Sequence, residues 1–68
     1  MITHKKKFGI YHWDTFDNEV ILIGEEDTVA EATTFIKDRY NQRISTNGAD
    51  YVEIVDQLGT IVSRFGVT

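Results

Sequence analysis

The chain contains no cysteine and no proline. Without cysteine there can be no disulfide framework and no Cys-based zinc staple, two supports on which very small domains often depend. The lack of cysteine also fits a reducing compartment. No proline and no Gly/Ser-rich stretch divides the 68 residues, which read as one domain, 1–68, with residues 1–6 as a flexible tail. No apolar run approaches the ~20 residues that a membrane-spanning helix needs. Behind the basic start Met1-Ile2-Thr3-His4-Lys5-Lys6-Lys7 there is no apolar segment of signal-peptide length, so the expected location is cytoplasmic. Cations are few: seven Lys and Arg stand against eleven Asp and Glu, giving a net charge of -4. That balance disfavours general binding to a phosphate backbone, which requires clustered Lys and Arg.

The composition is that of an ordinary globular chain, 41% hydrophobic and 26% charged. A domain of this length buries only ~60% of the surface of its unfolded chain. It must therefore gain stability from good local structure, a compact core or a second copy of itself.

Phe8 to Asp14 is rich in aromatic and β-branched residues and reads as a first strand. Thr15-Phe16-Asp17-Asn18 supplies turn chemistry, and Glu19 to Gly24, centred on Val20-Ile21-Leu22-Ile23, reads as a second strand. Thr28-Val29-Ala30-Glu31 matches a capping box, with Thr28 capping a helix and Glu31 reaching back to the Thr28 amide. The helix should run from Val29 to Tyr40 or Arg43, burying Val29, Ala32, Ile36 and Tyr40 with Phe35 on the flank. Asn41 to Ala49 is a loop, Tyr51 to Asp56 a third strand and Thr60 to Phe65 a fourth. Asp56-Gln57-Leu58-Gly59 joins these two strands, with Gly59 suited to a positive φ.

The order is ββαββ, an α+β fold with a four-stranded, mainly antiparallel sheet and one helix packed on one face. The helix length returns strand 3 in the direction of strand 2. Two sheet orders, 2-1-3-4 and 1-2-4-3, then keep all neighbours antiparallel.

One helix covers one face, so the other meets water or a partner. Strand alternation puts Phe8, Ile10 and His12 on one side, with Tyr11 and Trp13 on the other. It separates Val52 and Ile54 from Tyr51, Glu53 and Val55, and Ile61, Ser63 and Phe65 from Thr60, Val62 and Arg64. The second face thus carries Tyr11, Trp13, Tyr51, Val55 and Val62, together with either Val20 and Leu22 or Ile21 and Ile23. These are the candidate partner-binding residues, since Tyr and Trp are enriched where proteins meet. The plainer reading is that Tyr11 and Trp13 lap over the edge of a small core.

Other chemistry is thin. His12 and Asp14 could offer two ligands to a metal, which falls short of a closed site, and no metal or other cofactor is expected. Glu25, Glu26, Asp27 and Glu31 lack the spacing of a calcium loop and suit the helix start. Ser45 and Ser63 have no base beside them, and Gly24 and Gly59 belong to no phosphate-binding pattern. No enzyme is expected. Lys5-Lys6-Lys7, the single basic run, reads as a solvated tail that shields a strand edge.

Trp13 at the end of strand 1, Thr28-x-x-Glu31-Ala32 opening the helix and Asp56-x-x-Gly59-x-Ile61 in the last hairpin together resemble small ββαββ proteins of bacteria and their phages. The resemblance covers most of the chain. It implies a cytoplasmic domain of unknown function and transfers no functional residue. The expected function is a non-enzymatic protein-interaction module that pairs with itself or another protein through the open face. The alternative is a regulatory protein that binds or mimics nucleic acid, a role the acidic balance makes the lesser one.

Overall fold

Two Asp-centred turns and one Thr-capped helix set the framework. A computed structural model describes residues 4–68. The elements are β1 (Phe8–Asp14), β2 (Glu19–Glu26), α1 (Val29–Tyr40), a short 3-10 turn (Asn41–Arg43), β3 (Asp50–Val55) and β4 (Ile61–Val67). The sheet order is β2-β1-β3-β4, and every neighbouring pair is antiparallel. This is the first of the two orders left open by the sequence.

In the first hairpin the Asp14 carboxylate accepts the amides of Phe16 and Asp17 at 3.0 and 3.1 Å, and Asn18 adopts φ 54°. Asn tolerates this left-handed geometry because its short polar side chain bonds locally. In the second, Asp56 accepts the amides of Leu58 and Thr60, both at 2.9 Å, and Gly59 takes φ 88°. Each carboxylate satisfies turn amides that the ladder leaves unpaired.

Thr28 caps α1 by accepting the Glu31 amide at 3.1 Å. The Glu31 carboxylate departs from the expected capping box: it accepts from the Thr28 hydroxyl at 3.0 Å instead of from the Thr28 amide. Ala32, Ile36 and Tyr40 are buried against Ile10, Val52, Ile54 and Val67, with Phe8, Ile23, Val29, Phe35, Ile44 and Phe65 around them. Each fully buried aliphatic side chain contributes ~1.5–3 kcal/mol. Gly24 makes room for this packing, since a Cβ there would lie 2.7 Å from Phe35 Cζ.

The chain end departs from expectation. β4 continues past Phe65, and Val67 is a core residue. The reason is the segment after α1, which pairs along the outer end of β4. Ile44 bridges to Val67, the Ser45 amide donates to the Gly66 carbonyl at 2.8 Å, and the Thr68 amide donates to the Arg43 carbonyl at 2.8 Å.

Candidate functional site: the open face of the sheet

Register decides which residues share the face that α1 leaves uncovered. Val52 and Ile54 lie under the helix, so their neighbours Tyr51, Glu53 and Val55 point away from it. Three rows cross the sheet on that side. Val20, Trp13, Tyr51 and Gly66 form the first. Leu22, Tyr11, Glu53 and Arg64 form the second, and Glu25, Gly9, Val55 and Ile61 the third. Of the two candidate pairs in β2, the structure places Val20 and Leu22 here.

Two irregularities shape the rows. Between Ile10 and Tyr11 the partner jumps from Gly24 to Leu22, leaving Ile23 unpaired, and Ile23 packs on the core. Between Ile54 and Val55 the partner jumps from Ser63 to Ile61, leaving Val62 unpaired. The second bulge corrects the simple alternation. Ile61 does not share a side with Ser63 and Phe65 but stands opposite Val55 on the open face, because one extra residue in a strand resets its period.

Along the two central strands one end of this face, at Gly9, Tyr11 and Val55, is buried and the other, at Trp13 and Tyr51, is open, while Val20 and Ile61 on the edge strands are open at either end. Trp13 is 38% and Tyr51 39% exposed, and Val20, Ile61 and Val62 are also exposed. Tyr11 at 8% and Val55 at 7% are buried, although they share the face. Of the five residues singled out from the sequence, three are therefore open to a partner and two are not. In the middle, Glu53 is 3% exposed and its Oε2 accepts Nε and Nη2 of Arg64 at 2.7 and 2.6 Å. The guanidinium lies 5.1 Å from the centroid of the Tyr51 ring. The charges of the central row thus cancel within the molecule.

The buried end lies under the N-terminal segment. His4 packs on Gly9 and Tyr11, and its Nδ1 is 2.8 Å from the Tyr11 hydroxyl. The Lys5 and Lys6 amides donate to Glu25 Oε1, the latter at 3.0 Å. Gln57 Nε2 donates to the carbonyls of Lys5 and Lys6, each at 3.2 Å. The Lys6 and Lys5 amides hold the Glu25 carboxyl below its ordinary value. Of the expected tail, residues 1–3 lie outside the described residues, whereas His4 to Lys6 rest on the sheet. The sequence signal for this was Gly9, because a glycine inside an aromatic strand marks a close approach.

A second polar cluster lies on the helix side. His12 Nδ1 is 2.6 Å from the Tyr40 hydroxyl, and His12 Nε2 is 3.2 Å from Asp50 Oδ2. Asp50 Oδ1 accepts the Thr15 amide at 3.1 Å and the Thr15 hydroxyl at 3.2 Å. The Thr15 amide, and after it His12, holds the Asp50 carboxyl below its ordinary value. These contacts tie the end of α1 to β1 and to the start of β3. Asp14, considered with His12 as a metal ligand, is instead committed to the first turn. Among the described residues no three His, Cys, Asp or Glu side chains converge as a metal site would require. No helix among them is long and apolar enough to cross a membrane.

Comparison with family models, with curated proteins and with solved structures finds no match.

Proposed function

We propose that this chain is a non-enzymatic interaction module that associates with a second copy through the open sheet face. The observation that carries the reading is the cross-strand pair Trp13 and Tyr51, both more than a third exposed on the side away from the helix. Val20 extends their row, and Ile61 and Val62 add exposed apolar surface. Tyr, Trp and Arg are the residue types that carry most binding energy where proteins meet. Charge supports a second copy as the partner. The chain is acidic overall, but Glu53 and Arg64 neutralise each other at the centre of the face. Two copies meeting there would bring no unmatched like charge together at that point. The nucleic-acid alternative has less support. Tyr11, one of the aromatics it would stack on, is buried, and Arg64 is already paired.

Light scattering coupled to size exclusion, run over a concentration series, tests the reading. The expected result is a concentration-dependent dimer that Trp13→Ala with Tyr51→Ala weakens while helical circular dichroism is retained. A strict monomer at millimolar concentration overturns it.

A further inference from the structure

We propose that the His4–Lys6 segment is a removable cover over the Gly9–Tyr11 end of the open face and thereby limits association through that face. The inference rests on the association reading above and adds its regulation.

Three observations meet here. First, the segment is held by distant parts of the chain: Tyr11 in β1, Glu25 at the end of β2 and Gln57 in the turn between β3 and β4. It is laid across the sheet and is not a strand of it. Second, apart from His4 these anchors are main-chain amides and carbonyls on the half-buried Glu25 and the exposed Gln57. Bonds of this kind are exchanged for bonds to water when the segment lifts, so they hold it reversibly, the two amides on the Glu25 carboxylate most firmly. The imidazole itself fits incompletely: His4 is 7% exposed, and its Nε2 is buried without a hydrogen-bond partner. A buried polar atom left unmatched is relieved when the residue moves into water. Third, the segment hides what the rest of the face displays. Tyr11 is buried beneath it, whereas Trp13, two residues along the same side of the same strand, is open.

Gly9 marks how closely the cover fits. A Cβ at that position would lie 2.6 Å from His4 Cγ and 2.7 Å from Tyr11 Cε1. When the segment lifts, the exposed aromatic surface grows from the Trp13–Tyr51 row to the Tyr11 row beside it. Seated, it leaves a smaller face for a second copy.

The full chain and two full-length variants, His4→Ala and Gln57→Ala, test this. Gln57 is exposed in a turn, so its substitution loosens the segment without touching the core. Three readouts are taken: NMR hydrogen exchange at the Lys5 and Lys6 amides, dye-sensitised polarisation of accessible Tyr rings, and the dimer dissociation constant from sedimentation equilibrium. Both variants are expected to exchange faster at Lys5 and Lys6, with α1 protection unchanged. They should show a Tyr11 signal that the native chain lacks and associate about tenfold more tightly, the scale of one added aromatic contact. If Tyr11 stays inaccessible in both variants, the segment is not a cover. If Tyr11 opens and the dimer is unchanged or weaker than native, the segment does not limit association and the proposal falls. If native chain and variants are all monomeric while Tyr11 opens, the association reading fails and the cover itself stands.

Discussion

Arg64 reaches across the β3–β4 ladder to place two N–H groups on one oxygen of Glu53, at 2.6 and 2.7 Å, in the middle of the sheet face that the helix leaves bare. The carboxylate is almost wholly buried and the guanidinium about half exposed, so the pair is asymmetric. Removing the cation strands a buried anion, whereas removing the anion leaves a cation that can reach water. Arg64→Ala should cost about 1–3 kcal/mol, discounted from a fully buried pair because Arg64 is partly solvated. Glu53→Gln should cost less, and Glu53→Leu in the Arg64→Ala background should recover most of the loss. Urea unfolding of the single and double variants measures the cycle.

Acid should loosen two distant contacts through the same linkage. The Asp50 and Glu25 carboxyls both titrate lower in the folded chain than at their ordinary values. The unfolded chain therefore takes up protons first as pH falls. The stability they contribute is present in full above the ordinary carboxylate range and is lost as pH falls through the folded values, below about pH 4. The urea midpoint should drop over that range, and Asp50→Asn should flatten the drop. Glu25→Gln should speed exchange at the Lys5 and Lys6 amides at neutral pH.

The helix offers a graded pair of substitutions. Thr28→Ala removes the acceptor for the Glu31 amide and should cost about 0.5–2 kcal/mol. Ile36→Ala opens a cavity between α1 and the sheet and should cost about 2–5 kcal/mol. Chemical denaturation should rank them in that order. An equal loss for both would mean that α1 is held by its cap as firmly as by its packing.

Gly59 sits at φ 88° in the β3–β4 turn, where a side chain is strained. Gly59→Ala should destabilise by about 1–2 kcal/mol. Gly59→Asn should cost less, because Asn bonds locally in left-handed geometry. Thermal unfolding of the two variants separates backbone strain from loss of the turn.

Local chemistry made much of this architecture legible. The Thr28 cap, the i, i+3, i+7, i+11 stripe of α1 and the Asp-led turns are each written within a few residues, and they set the ββαββ order. The division of β1 into a helix side and a Tyr11–Trp13 side follows from a period of two. What could not be read depended on partners far along the chain. The bulge that turns Ile61 toward Val55 is a property of two strands together. The burial of Val67 needs Ile44, and that of Tyr11 needs His4, a polar residue in a basic stretch; Gly9 signals that something approaches the strand closely but not which residue does. Likewise Asp50, and not the nearby Asp14, meets His12, because β1 and β3 are neighbours.

That adjacency has a consequence for how the molecule comes together. Each hairpin forms from residues close in sequence, but an isolated two-stranded hairpin is marginal in water. The seam that joins them pairs Gly9 with Val55 and Trp13 with Tyr51, across most of the polypeptide. Such long-range closure is slow and must largely precede the burial that rewards it. No fragment ending before Val55 contains the complete seam, so a nascent or clipped chain lacking β3 would retain a hairpin and a helix with nothing to enclose between them.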